Sequence, residues 1–328
     1  MATEPPGAGW MGILGEKAGQ GCRFAIYKFA KRKSEETPLM SNLDFARRAA
    51  LEVATEHGIT PDRCDILQNG HTLVLRLTET LVARVVQDLE GPRQGTEWFA
   101  RENAIAEHLT LAGAPVIPLH SDLPPGPHWR HGLPMNFWRF VTRVPEEPRA
   151  AEIGRALYEC HAALGQFSEP LPPLAILTEA SRILEERDLF PAATQSMLIQ
   201  HLKKSVEILA RFPHQPLHGD AHEGNLMNTT QGLLWTDWED AFSGPVEWDL
   251  ASLIWNARLL NRDHATADAM LQGYRDAGGV WKESALEQSL IARAAVMTAW
   301  YPILYPNPNA ERQKKLQHRL DWLKSVAD

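Results

Sequence analysis

Residues 218–240 read HGDAHEGNLMNTTQGLLWTDWED, and this stretch gathers His218, Asp220, His222, Asn225 and Asp237 around two short apolar runs. Side chains with small, hard oxygens in that density suit the handling of a magnesium-bound phosphate. Moving a phosphoryl group asks little covalent chemistry of a protein. It needs a Mg2+ ion held by carboxylate and amide oxygens, and a carboxylate that orients the attacking hydroxyl and accepts its proton. In this reading Asp220 faces the acceptor hydroxyl. Asn225, five residues on, ligates Mg2+ and holds the loop closed, and Asp237, after a short hairpin, bridges the metal to the phosphates.

The D-x-x-x-x-N spacing followed by an Asp beyond a hairpin is the catalytic-loop and metal-Asp pattern of kinases. Taken singly, each residue has a duller role: Asp220 and Asn225 as turn residues, Asp237 as a strand-end cap. The joint spacing carries the reading. A different chemistry competes for the same stretch, because His218, Asp220 and His222 form an H-x-D-x-H run that could bind Zn2+ or Mn2+ in a hydrolase. His222 otherwise serves as a hydrogen-bonding loop residue.

The loop must be held by the elements around it. QPLHGD and LLWTDWED read as short strands, and NLMNTTQGLLW as a hairpin turning at Thr229–Gly232. Upstream, MSNLDFARRAALEVATEHG carries a capping-box pattern at Ser41 and Asp44 and a natural stop at Gly58, which predicts a helix. CDILQN (64–69), HTLVLRLT (71–78) and TLVARVV (80–86) then predict a small antiparallel sheet. The following helix, at 96–112, places Trp98, Ile105, Ala106 and Leu109 on one stripe together with Glu102. A carboxylate on an apolar stripe wants a cation, and the nearest candidate is Arg84 in the last strand. A strand cation meeting a helix carboxylate is how kinases hold the phosphates of ATP.

The Pro/Gly-rich stretch 114–134 leads to MNFWRFVTRV (135–144), a short apolar strand ending where the charge balance shifts. The expected organisation is a poorly ordered extension at 1–40, an N-lobe at 41–136, a linker at 137–145 and a C-lobe at 146–328. The C-lobe reads as mainly helical, with His161 a core histidine on its first helix and further helices near 178–190, 195–211, 247–260, 264–277, 282–302 and 309–327.

Residues 1–145 carry 16 Lys and Arg against 16 Asp and Glu, whereas 146–328 carry 17 against 25, so the whole net charge of −8 lies in the second part. That opposes nucleic-acid binding and favours a cationic small molecule. Glu223, Glu239, Asp240 and Glu247 cluster around the loop, and Trp238, Trp248 and Trp255 could wall an amino sugar or quaternary amine by cation–π contact; the plainer reading has the acids solvated and the tryptophans in the core. No apolar run reaches the roughly 20 residues of a membrane span, and three cysteines without a CxxC pair oppose a disulfide framework. A cytoplasmic protein without a membrane partner is expected. Oligomeric state leaves no trace in the sequence.

LHGDAHEGNLMN followed by LLWTDWEDAFSGPVEWDLA resembles the signature of the aminoglycoside phosphotransferase and choline kinase-like family, over residues 45–325. The resemblance implies an α+β, bilobal protein kinase-like fold with a small antiparallel-sheet N-lobe and a larger, mainly helical C-lobe. It implies ATP (or GTP) and Mg2+ as cofactors. The γ-phosphoryl group would go to a hydroxyl of a small cationic acceptor such as an aminoglycoside, amino sugar or amino alcohol. By the same resemblance Asp220 matches the catalytic Asp, Asn225 and Asp237 the Mg2+ ligands, His218 the loop-bracing histidine and Asp249 a structural Asp. Arg84 takes the place of the phosphate-binding Lys and Glu102 its helix partner. Gly70 lies in the nucleotide loop, and the backbone of Phe137, Trp138, Arg139 and Phe140 forms the adenine-binding linker. Three features depart from the pattern: Arg84 stands for Lys, the loop QNGH has one glycine, and residues 1–40 match nothing in the family. The first two support a third reading, a kinase fold that binds without catalysis.

Overall fold

The computed structural model describes residues 42–70, 72–87 and 96–326. The extension expected at 1–40, His71 and the turn-rich EGPRQG at 90–95 lie outside the described residues. The chain divides into two compact units, one of residues 42–96 with 119–140 and one of residues 97–118 with 141–326.

The first unit is helix α1 (Asn42–Glu56) on a five-stranded sheet of β1 (Asp65–Asn69), β2 (Thr72–Arg76), β3 (Leu81–Val86), β4 (His128–Arg130) and β5 (Leu133–Arg139). The strand order is β1-β2-β3-β5-β4, and every pairing is antiparallel. Period-two alternation puts Leu73, Leu75, Leu81, Ala83, Val85, Met135 and Phe137 in one core, which Ala46, Ala49, Ala50, Val53 and Ala54 of α1 join. The small alanines let the helix lie close to the sheet. The other face of β3, carrying Val82, Arg84 and Val86, is buried as well. Arg84 is therefore the one charge in a strand that is otherwise apolar on both sides.

The three strands expected from sequence are present, each trimmed by one to three residues. β4 was hidden in the Pro/Gly-rich stretch. It is three residues long and returns to β5 through His131 and Gly132, both at positive φ (54° and 80°). The linker expected from residue 137 begins later, because Phe137, Trp138 and Arg139 pair with Ala83, Val82 and Leu81 and continue the alternation of β5.

The second unit holds α2 (Glu97–Leu111), α3 (Ala150–Leu164), α4 (Ala175–Glu186), α5 (Ala192–Leu209), α6 (Glu247–Trp255), α7 (His264–Asp276), α8 (Glu283–Ala299), α9 (Tyr301–Leu304) and α10 (Ala310–Ser325). Two short pairs accompany them: β6 (Gln215–Leu217) with β9 (Phe242–Gly244), and the hairpin of β7 (Leu226–Thr229) and β8 (Gly232–Trp235). α2 was expected in the N-lobe, but it groups with this unit. The Arg101 Nη2 donates to the Glu239 carbonyl at 2.9 Å, and the His108 Nε2 donates to the Ala163 carbonyl at 2.9 Å. Its buried stripe runs through Phe99, Glu102, Ile105, Ala106 and Leu109, while Trp98, expected on it, is only half-buried. The helix expected to reach residue 260 is α-helical to Trp255 and then widens into a π-helix, Asn256–Asn261, closed by Arg262 at φ 54°. No helix among the described residues is long and apolar enough to cross a membrane.

Candidate active site

The β7–β8 hairpin aligns Leu226 with Trp235, and the Thr236 N–H donates to the Asn225 carbonyl at 2.9 Å, which lengthens the ladder by one step. Asn225 and Asp237 therefore emerge at the same end of the hairpin. Asp237 turns off it in the left-handed region (φ 66°, ψ 56°), a conformation that Asp tolerates better than most residues. The expected hairpin turn at Thr229–Gly232 is present.

The loop before the hairpin is fixed by its backbone. Gly219 has φ +87°, and a Cβ there would lie 2.0 Å from the Asp240 carbonyl oxygen, so only glycine permits this turn. The Trp248 Nε1–H donates to the Gly219 carbonyl at 2.7 Å. Asp249, fully buried on α6, accepts the His218 N–H at 2.7 Å, the Gly219 N–H at 2.9 Å and the His161 Nε2–H at 2.9 Å. The Tyr274 hydroxyl donates to the remaining ring nitrogen of His161 at 2.9 Å. Helices α3 and α7, which carry His161 and Tyr274, approach so closely that a Cβ on Gly154 would sit 1.8 Å from the Met270 carbonyl. Asp249 is thus the buried anchor of the loop. Asp249→Asn should cost about 3 kcal/mol, since an amide nitrogen would face donors. Chemical denaturation of the two proteins checks this.

His218 donates from Nε2 to the Thr236 carbonyl at 3.0 Å and accepts the Asp220 N–H on Nδ1 at 3.3 Å. Burial pushes its pKa down despite Asp249 and Asp220 nearby, so the ring stays neutral. With both nitrogens engaged, His218 braces the loop and has no lone pair for a metal. That removes the H-x-D-x-H hydrolase reading. His222 likewise accepts the Gly224 N–H on Nδ1 at 2.9 Å and stands 3.5 Å from Asp220 through Nε2.

Asp220 is buried and contacts three groups. The Asn225 Nδ2 donates to its carbonyl at 3.0 Å and reaches its Oδ2 at 3.4 Å, His222 lies beside it, and Arg293 of α8 forms an ion pair with its Oδ1. Burial alone would raise the carboxyl pKa, but Arg293 and His222 outweigh it and hold the group well below the usual carboxylate range. Asp220 is ionised at any ordinary pH. Arg293 was not read from the sequence, although a signal was there: it is a lone cation within SLIARAAVMTA, where it needs a buried carboxylate.

Several expected acceptor contacts are otherwise engaged. Trp238 and Trp248 are fully buried; the first packs on the His218 ring at 4.4 Å between centroids, and the second braces Gly219. They are core, not an exposed wall. The Glu247 carboxylate accepts the Lys282 N–H at 2.7 Å. Glu239 and Asp240 are buried beside the loop. Gly70 sits in the β1–β2 turn, donating to the Thr72 carbonyl at 3.1 Å, and Arg84 lies on β3 between Val74 and Asn136. Arg84 belongs to the sheet unit and Glu102 to the helical one.

Among the described residues no three His, Cys, Asp or Glu side chains form a metal-holding group. The donor set of Asn225 and Asp237 nevertheless fits Mg2+, which takes one or two hard protein oxygens and completes its shell with phosphate and water.

The five-stranded sheet, the helical unit and this loop define a phosphotransferase of protein kinase-like fold. Residues 55–286 match the model of the Phosphotransferase enzyme family, and the chain belongs to that family. A thiamine kinase of Escherichia coli O17:K52:H18 is 28% identical over 216 residues, covering 61% of this chain and 69% of that protein. Among solved structures, an amicoumacin kinase in complex with AMP-PNP, Ca2+ and Ami is similar at TM-score 0.66 and 13% identity, over 87% of this chain and 96% of that one. A choline/ethanolamine kinase family protein from Mesorhizobium loti is similar at TM-score 0.61 and 18% identity, over 88% and 95%.

Proposed function

We propose that the protein transfers the γ-phosphoryl group of ATP, or of GTP, to the hydroxyl of a small molecule, with Asp220 as the group that orients the hydroxyl and takes its proton. The observation that carries this is the braced loop, in which an ionised, buried Asp220 is tied to Asn225 five residues on, with Asp237 emerging beside Asn225. The new bond joins the acceptor oxygen to phosphorus, the bond from phosphorus to the bridging oxygen of the nucleotide breaks, and the proton passes to Asp220. Asn225 and Asp237 hold Mg2+; when bound, the ion offsets charge on the phosphates. In the sheet unit, the turn at Gly70, the Arg84 guanidinium and the backbone at Phe137, Trp138, Arg139 and Phe140 are the groups offered to the nucleotide.

The small acceptor hydroxyl accords with relatives named as thiamine kinase and choline/ethanolamine kinase. Of the contacts expected for a cationic acceptor, Trp238, Trp248 and Glu247 are taken up within the fold, which leaves Glu239 and Asp240.

The test is a thermal shift with nucleotide and Mg2+. A ligand at about 100 times its Kd stabilises the native state by ~2.7 kcal/mol. MgATP or MgGTP should therefore raise Tm by several degrees, and EDTA should abolish the rise. A rise with Zn2+ alone and none with either Mg2+ nucleotide would remove the reading.

A further inference from the structure

Two arginines of the helical unit lie close together in its interior. Arg293 on α8 is 1% exposed and Arg319 on α10 is 7% exposed. Their guanidinium carbons stand 5.8 and 4.8 Å from the ring centre of Trp255, and Arg319 also lies 5.0 Å from that of Tyr301. The Nε and Nη1 of both side chains are buried without a hydrogen-bond partner. Arg293 has Asp220 as its counter-ion, whereas Arg319 has no carboxylate in an ion pair among the described residues. Burial lowers the pKa of Arg319 to about 10, with Arg293 adding to the effect. A buried guanidinium without an anion is strongly unfavourable, and buried charges are ordinarily paired. Directly after Trp255 the helix opens into the π-helical turn Asn256–Asn261, a widening frequent at functional sites.

Charge decides the class of ligand. Of the two, only Arg293 has a carboxylate in an ion pair among the described residues, so the positive charge of Arg319 is unbalanced there, and a single negative charge balances it. A cationic group in the same place would meet repulsion.

We propose that Arg293 and Arg319 form an acceptor subsite for a carboxylate, so that the substrate is a hydroxy acid whose hydroxyl is presented to Asp220. The subsite rests on the phosphotransferase reading above and replaces the cationic acceptor. The unpartnered guanidinium nitrogens donate to the carboxylate oxygens, and the Trp255 indole supplies the wall beside them.

The test uses labelled ATP and four acceptors: glycerate, glyceramide, glycerol 3-phosphate and choline. The expected result is a kcat/KM for glycerate at least tenfold above that for glyceramide, with choline lower still. Arg319→Gln should erase most of the preference for glycerate over glyceramide. In the protein without ligands, Arg319→Met should hold or raise Tm, because it removes an unpaired buried charge; a merely structural arginine would lower it and leave acceptor preference unmoved. Equal use of glycerate and glyceramide, or preference for choline, overturns the subsite while leaving the phosphotransferase reading intact. Preference for glycerol 3-phosphate overturns the carboxylate assignment. Binding of MgATP with no preference among the four also overturns it, and failure of both MgATP binding and transfer removes the underlying reading as well.

Discussion

Asp220→Asn is expected to lower kcat by about three orders of magnitude, the size of effect that losing a positioned proton acceptor has in other enzymes. The structure adds a consequence for stability. Asp220 is the only ion-pair partner of the buried Arg293 among the described residues, so the substitution leaves a guanidinium uncompensated, which costs roughly 3 kcal/mol. Loss of activity and loss of stability must then be separated. Asp220→Asn with Arg293→Met should recover most of the stability and none of the turnover, because the two changes remove both members of one pair. If the double variant is as unstable as the sum of the single ones, the ion pair does not hold. If Asp220→Asn keeps more than about a tenth of wild-type kcat, Asp220 is not the catalytic carboxylate.

Arg293→Met on its own should change the pH profile. In the wild type the Asp220 carboxyl is depressed, chiefly by Arg293 acting against burial. The stability this provides is fully present above the ordinary carboxylate value near pH 4 and is lost only as pH falls through the lower folded value. Asp220 therefore gives no acid limb to activity between about pH 5 and 8. Without Arg293, burial is the largest remaining influence, and it raises the carboxyl pKa. The variant should then lose activity at acid pH and recover part of it as pH rises, with a limb that the wild type lacks. Parallel pH–rate profiles for the two proteins would show that Arg293 does not govern the protonation of Asp220.

The placement of Asp220, Asn225 and Asp237 relative to one another was legible in the sequence because they lie within eighteen residues on one loop and hairpin, where spacing constrains it. Arg293 was not, since it reaches Asp220 across 73 positions from a helix in which only the apolar surroundings of a lone cation hinted at a partner. The sheet was readable through the alternation of Leu73, Leu75 and Leu77, whereas β4 had three residues and proline-rich flanks, too few to show a period. Trp238 and Trp248 were open to two readings in the sequence for a physical reason: a tryptophan's type does not say whether its ring faces a ligand or the core. Here the packing of His218 and the carbonyl of Gly219 claim both. Arg319 sits in AERQKKLQHRLDWLKS, a helix so rich in charge that nothing in the sequence marked one arginine as buried.

Calorimetric titration of MgATP into Asp220→Asn and Asp237→Ala, side by side, tests most directly whether these carboxylates divide the work of phosphoryl transfer as described. The account predicts that Asp220→Asn binds MgATP within a fewfold of the wild-type affinity while transferring nothing, and that Asp237→Ala loses Mg2+-dependent binding because neutral Asn225 alone cannot offset the charge of metal and triphosphate. Unchanged MgATP affinity in Asp237→Ala, or its loss in Asp220→Asn alone, would contradict it.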